Sequence, residues 1–325
     1  MANGYSFNEE KLHKAVAQVF QALKKQRGIF RNGRKHFLPQ WRLPQGFEHK
    51  PQQQKPKLEY ETSLWLWTRM FCDRRSQSEQ LMQLAKSAWG NPERRWIFYP
   101  EKVAEQTSEK IEQALKQYLH YALANPNEKS VGNSFRDNAL KLKTEYQGDP
   151  RNLITGKTIA QARDTIMSFD KYGTGLANLL IMEMMDRELV NPIDPENVLF
   201  KIDVHKERFA LMVDAILITN REISIKEGYA TSILEESYRR FCHDKNLTLQ
   251  EMIELDSALW IIGSKVCATK SHVVCAANCP LEERCTAYPE KDDQQGRFIV
   301  YDQDRKRVDL RRGSPAQPDM LKDLF

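Results

Sequence analysis

Four cysteines lie within nineteen residues near the end of the chain, and they constrain its fold more than any other feature. Cys267, Cys275, Cys279 and Cys285 are separated by gaps of seven, three and five residues. Four thiolates this close in sequence can complete a tetrahedral zinc site or hold a 4Fe–4S cluster. Zinc ribbons usually join two C-x2-C pairs across a longer segment, and neither pair is present here. The spacing therefore favours an iron–sulfur cluster, with zinc and unliganded thiols as alternatives.

Disulfide bonds are the remaining use for these thiols, and they require an oxidising compartment. The first residues of the chain carry no apolar signal segment, so we expect a cytoplasmic protein. No stretch approaches the roughly 18 apolar residues of a membrane span, and we expect no membrane contact. The net charge of +5 permits a polyanionic partner without requiring one.

The hydrophobic pattern is helical along almost the whole chain, which predicts an all-α fold. Segments with apolar residues at helical spacing alternate with turn signals rich in Gly, Asn and Pro. A capping box at Ser6 and Glu9 predicts the start of the first helix. The predicted helices then cover residues 60–71, 76–89, 102–123, 134–146, 158–170, 176–185, 204–217, 232–244 and 249–263. A short strand is predicted at 297–301.

Two further features lie in the middle of the chain. Tyr172, Gly173, Thr174 and Gly175 separate two predicted helices, and such a turn brings backbone amides close to a ligand. Asp203 follows at a predicted loop-to-helix junction. An aspartate there is either a helix N-cap or a carboxylate that activates water and stabilises a cationic sugar, and one side chain can do both.

In this order, the features resemble the helix-hairpin-helix DNA glycosylase superfamily, specifically the endonuclease III and adenine glycosylase branch with its C-terminal iron–sulfur loop. The family's hairpin L-P-G-V-G corresponds to residues 171–175, and its V-D-T-H segment corresponds to residues 202–205. Residues 132–148 resemble the stretch leading into the hairpin, and residues 279–285 resemble the end of the cluster loop. The similarity covers about residues 58–285.

The resemblance implies a two-lobed fold with a helical barrel and a cluster-bearing helical lobe. We expect an N-terminal helix and basic, aromatic arm at 1–57 that packs on the cluster lobe, and the barrel with its hairpin at 58–190. The cluster lobe is expected at 191–290 and a charged extension at 291–325. By the same resemblance, Cys267, Cys275, Cys279 and Cys285 hold the cluster and Asp203 is catalytic.

The implied activity is that of a DNA glycosylase, which flips a damaged or modified base out of duplex DNA and excises it during base-excision repair. The family's Schiff-base lysine corresponds to Ala177, so a lyase step is not expected and the enzyme is predicted to be monofunctional. We expect a nucleoid-associated monomer. The alternatives are a non-catalytic iron–sulfur DNA-binding protein on the same scaffold and an N-glycosylase acting on a modified nucleoside or RNA. The predicted DNA contacts are Arg74, Arg75, Tyr172, Gly173, Thr174, Gly175, Lys270 and His272.

Overall fold

The computed structural model describes residues 5–32, 55–73, 78–119, 130–213, 215–218, 231–267, 272–281, 298–301 and 307–310. The chain forms two compact units. The first combines Met1–Phe37 with Ile202–Phe325, and the second is Leu38–Lys201. Both are mostly helical, which confirms the predicted all-α class.

The described helices are α1 Glu9–Lys24, α2 Lys55–Cys72, α3 Ser78–Gly90, α4 Pro100–Ala104, α5 Ser108–Leu119, α6 Val131–Tyr146, α7 Ile159–Met167, α8 Thr174–Asp186, α9 Val204–Met212, α10 Thr231–Asp244, α11 Leu249–Ile261 and α12 His272–Asn278. A π-helix at Ile262–Val266 continues α11. The described strands are β1 Tyr5–Phe7, β2 Ile216–Ile218, β3 Phe298–Tyr301 and β4 Arg307–Leu310. They pair as two antiparallel ribbons, β1 with β2 and β3 with β4.

The second unit is built around α2, whose inner residues Trp65, Met70 and Phe71 are fully buried. One charged residue of α2 is buried as well. The guanidinium of Arg69 donates to both carboxylate oxygens of Glu183 on α8, at 2.6 Å each. Because both partners lie in the core, this pair fixes α8 against α2.

In the first unit, α1 packs on α10 and α11. His13 contacts the carbonyl of Ser237, and Lys24 lies 3.2 Å from Glu251. The turn after α1 meets α12 at Gly28, which has φ +58, and a Cβ there would lie 2.5 Å from the carbonyl oxygen of Asn278. A glycine is therefore required where the N-terminal segment contacts the cysteine-bearing helix.

The main differences from the predicted elements lie at the start of α1, between α4 and α5, and after α9. The N-cap of α1 is Asn8, not Ser6, since Ser6 pairs with Leu217 in the β1–β2 ribbon. The predicted helix 102–123 is two helices, α4 and α5, and the predicted helix 204–217 ends at Met212 before a strand. The predicted strand at 297–301 is present as β3. Within the described ranges, no helix is both long and apolar enough to cross a membrane.

Candidate functional site

The turn between α7 and α8 contains the predicted pair of glycines. Its left-handed residue is Lys171, with φ 66, whereas Gly173 is the N-cap of α8 with φ −94. A Cβ on Gly173 would meet no described atom within 4 Å, and one on Gly175 would touch only Lys201, at 3.7 Å. Neither backbone conformation nor described packing requires these glycines, so their effect is to leave the start of α8 open to close approach.

The first amides of α8 point out of the helix end without a described acceptor. The earliest hydrogen bonds of the helix run from Leu176 and Ala177 to the carbonyl of Gly173, at 3.1 and 3.0 Å. The amides of Thr174 and Gly175 come before them, and no described residue accepts from either. Helix N-termini carry partial positive charge and attract anions. This end of α8 therefore suits a phosphate.

Tyr172 contributes to the turn from the inside. Its ring is 4% exposed and stacks on Trp67, with 4.3 Å between centroids and 12° between planes. Its hydroxyl donates to the carbonyl of Trp67 at 2.8 Å. The side chain thus anchors the hairpin to α2, and only the backbone of Tyr172 belongs to the outward-facing turn.

Two residues of α6, whose roles the sequence did not reveal, brace the hairpin. The buried amide of Asn138 donates to the carbonyl of Asp170 at 2.9 Å and accepts from its backbone amide at 2.8 Å. The hydroxyl of Ser134 donates to the Asp170 carboxylate at 2.8 Å. Because Asn138 bonds both backbone groups of Asp170, it fixes the turn. In the sequence, the only indication of this role is that a serine and an asparagine lie four residues apart, on one face of the predicted helix.

Asp203 is the N-cap of α9. Its Oδ1 accepts from the amides of His205 and Lys206, at 3.0 and 3.1 Å, and its carbonyl accepts from the amide of Glu207 at 3.0 Å. The side chain is partly exposed. The N-cap interpretation is confirmed. The same bonds orient a carboxylate at the unit's surface, as a catalytic role would require.

Behind Asp203, α9 buries three consecutive charged residues. Lys206, Glu207 and Arg208 are each 2% exposed. The ammonium of Lys206 lies 2.9 Å from Oδ1 of Asp256 on α11. Arg208 donates to the carbonyl of Gly263 at 3.0 Å. Such charges are stable in a core only when paired, so α9 is held to α11 and the π-helix by ionic contacts as well as by packing.

Tyr238 on α10 is a further fully buried polar side chain of this unit. Burial is the main reason that the pKa of Tyr238 lies well above its usual range. Negative charge nearby raises this pKa further, with contributions from Asp256, Asp203 and Glu207. The phenol therefore stays protonated and acts as a neutral hydrogen-bonding group.

Three of the four cysteines predicted as ligands fall in described positions. Cys267 directly follows the π-helix, and Cys275 and Cys279 are one helical turn apart, with the amide of Cys279 donating to the carbonyl of Cys275 at 2.8 Å. Burial, and then the neighbouring Cys279, raise the pKa of Cys275 to about 11. Thiols one helical turn apart lie on the same side of a helix, as two ligands of one metal centre would. Across the described ranges no three potential ligands converge, and Cys285 lies outside those ranges.

The remaining predicted DNA contacts are not described. Arg74, Arg75 and Lys270 lie outside the described residues, and so does the side chain of His272, whose backbone begins α12. No protein-family model matches the sequence, and comparison with curated proteins finds no significant relative.

Proposed function

We propose that the protein is a monofunctional DNA N-glycosylase with the two-lobed helix-hairpin-helix fold, which has a helical barrel and a cluster-bearing lobe and acts on a flipped nucleotide. The observation that carries the proposal is the way in which the Asp203 carboxylate is held in place. Two backbone amides hold one oxygen of its carboxylate, and a buried ionic cluster lies directly behind it. A carboxylate fixed in this way needs no reorganisation to stabilise positive charge.

In the proposed reaction, the target base is rotated out of the duplex and its N-glycosidic bond is hydrolysed. As the bond breaks, the sugar develops oxocarbenium character, and the negative charge of Asp203 stabilises it. Asp203 also orients a water, whose oxygen bonds to the anomeric carbon while its proton leaves for the carboxylate or the departing base. The products are the free base and an abasic site.

The hairpin supplies the phosphate contact in this proposal. The open start of α8, with the amides of Thr174 and Gly175, would bind a backbone phosphate. Arg74, Arg75, Lys270 and His272 would add cationic or hydrogen-bonding contacts to phosphates. Tyr172 would support the turn from the core rather than contact DNA with its side chain, because its ring is buried against Trp67.

The absence of a lysine at position 177 favours hydrolysis over a lyase step. Ala177 is fully buried and offers no amine for a Schiff base. Cys267, Cys275, Cys279 and Cys285 would hold a 4Fe–4S cluster, which would shape the loop that carries Lys270 and His272 and take no part in bond cleavage.

The test is a panel of duplexes that each carry one damaged or modified base, incubated with the protein and then treated with alkali to cut abasic sites. Asp203→Asn is the decisive variant, because asparagine caps a helix as well as aspartate but lacks its charge. We expect base release to fall about 100-fold or more while duplex binding remains. Asp244→Asn makes the same chemical change at an exposed site and should leave release unchanged.

Two other outcomes identify the alternatives. Binding of duplex DNA with no base release from any member of the panel would indicate a non-catalytic DNA-binding protein. Base release from modified nucleosides or RNA, but not from duplexes, would indicate an N-glycosylase that acts on those substrates.

A separate measurement tests the cluster. An absorption band near 400 nm is typical of iron–sulfur proteins, and its absence from anaerobically purified protein would contradict the cluster.

A further inference from the structure

Trp260 stands out on a helix that is otherwise almost entirely buried. Between Met252 and Gly263, only Glu254 and Trp260 keep partial exposure. A partly exposed tryptophan at the end of a core helix presents a flat, rigid, amphipathic face, which is a common contact surface in binding sites.

The π-helix places a cation over this ring. Lys265 follows Trp260 by five residues, and in a regular α-helix residues five apart do not share a face. The wider i→i+5 turn of the π-helix at Ile262–Val266 brings them together, and the Lys265 ammonium lies 5.9 Å from the centre of the Trp260 ring. Such single π turns are frequent at functional sites.

The ring of Trp260 also meets His205, two residues after Asp203. The imidazole and indole rings are 5.6 Å apart at 77°. Gly263 allows this approach, because a Cβ there would lie 2.2 Å from the carbonyl oxygen of His205. Arg208 approaches Nδ1 of His205 at 3.0 Å, and since a guanidinium only donates, the imidazole proton belongs on Nε2.

We propose that His205, Trp260 and Lys265 form a nucleotide-contacting surface beside Asp203, in which the indole ring stacks on a base or sugar and the Lys265 ammonium binds the adjoining phosphate. An aromatic ring with a cation beside it is complementary to a nucleotide, which offers both a π-face and an anion. The surface rests on the proposed function for its choice of ligand, yet it needs no catalysis to be present.

Binding can be measured by fluorescence anisotropy of a labelled duplex containing a stable abasic-site analogue, across a range of salt concentrations. Trp260→Ala should weaken binding about 5- to 100-fold, as loss of a stacked base does. Trp260→Phe should retain most of the affinity, whereas Trp260→Leu, which is apolar but has no π-face, should not. Lys265→Gln should reduce the slope of log K against log salt by about 0.9, corresponding to one phosphate contact.

The chain offers a matched control in its other compact unit. Lys110 lies 5.7 Å from the ring of Trp96, a second partly exposed tryptophan under a lysine. Trp96→Ala and Lys110→Gln should leave both the affinity and the salt slope unchanged. Circular dichroism of each variant checks that it is folded. If Trp260→Ala does not fold, the comparison of the affinities of Trp260→Phe and Trp260→Leu still tests the surface.

The outcomes separate this inference from the proposed function. If the Trp260 and Lys265 variants bind like wild type, the surface is refuted, whatever the base-release assay shows. If they weaken binding as expected while the wild-type protein releases no base, the surface stands and the enzymatic proposal fails. Lack of wild-type binding to either duplex or single-stranded DNA also overturns the inference.

Discussion

The buried ion pair between Lys206 and Asp256 gives a sharp test of how the Asp203 helix is held. The two charged atoms are 2.9 Å apart, and the side chains are 2% and 8% exposed. At an effective dielectric constant of about 20, unit charges at this separation attract by roughly 6 kcal/mol. This attraction offsets a desolvation cost of several kcal/mol for each ion. Lys206→Met removes the attraction but leaves Asp256 buried, so we expect the free energy of unfolding to fall by about 3–5 kcal/mol.

The assay is urea unfolding followed by circular dichroism, arranged as a double-mutant cycle with Asp256→Asn. The double variant should recover about 2 kcal/mol or more relative to the sum of the single changes, because the two residues interact directly. An exposed pair provides the control. Lys116 and Glu112 are 2.8 Å apart, but their side chains are 43% and 24% exposed. Lys116→Met should cost about 0.5 kcal/mol. If Lys206→Met costs no more than Lys116→Met, the buried network does not hold α9.

Three further predictions concern other parts of the chain, and denaturant unfolding checks each. Gly132→Ala would bring a Cβ to 2.0 Å from a backbone oxygen of α5, so it should lower the free energy of unfolding by about 1–3 kcal/mol. Gly90→Ala is the control, because a Cβ there meets open space, and it should be neutral or stabilising. Asn138→Ala removes the hydrogen-bond partner of the amide and carbonyl of Asp170, so it should lower the free energy of unfolding by about 2 kcal/mol. Asn133→Ala, at an exposed position on the same helix, is the control and should lower it by under about 0.5 kcal/mol. Burial raises the pKa of Cys242 from 9.0 to about 12, so the unfolded state loses its thiol proton first and stability falls as pH rises above 9. Cys242→Val should therefore reduce the loss of stability between pH 9 and 10 by about 1 kcal/mol.

The long amphipathic helices were predictable because the burial of one face leaves a periodic pattern. The predicted segment 60–71 lies within α2, and 176–185 lies within α8. The break between α4 and α5 was missed because apolar spacing continues across it. A cap marks the break in the structure, where the hydroxyl of Thr107 accepts from the amide of Lys110 at 3.3 Å. Thr107 and Ser108 in the sequence are typical of such a cap, but the continuous apolar period favours one long helix.

Non-local contacts account for the remaining differences. The segment that becomes β2 is apolar and follows α9 directly, so its pattern alone fits a longer helix. It is a strand because Ile216–Ile218 pairs with the distant N-terminal residues Tyr5–Phe7. The same pairing takes Ser6 out of the helix start and makes Asn8 the cap. Sequence spacing contains no information on a partner about 210 residues away, which is the separation along this chain.

In the candidate site, too, the sequence predicted the local features and not those that depend on distant residues. Asp203 was recognisable because a helix cap is a local feature, and so was the glycine turn before α8. The ionic cluster was not, since three consecutive charges on α9 are typical of a solvated helix face. Their burial depends on Asp256, fifty residues further along the chain, and on the carbonyl of Gly263. The π-helix that joins Trp260 to Lys265 likewise has no periodic signature.

The ionic cluster also bears on which role of Asp203 explains its identity. A helix cap alone would be satisfied by serine, threonine or asparagine, and it would not require charged neighbours. Burying Lys206, Glu207 and Arg208 behind the cap gains little stability over apolar packing, because desolvation consumes most of the attraction. Sequences depart from such rules mainly where function requires it. A partly exposed carboxylate at position 203, in front of buried carboxylates and their counter-ions, is consistent with the proposed function, in which stabilisation of a cationic sugar would use both the charge and its fixed orientation.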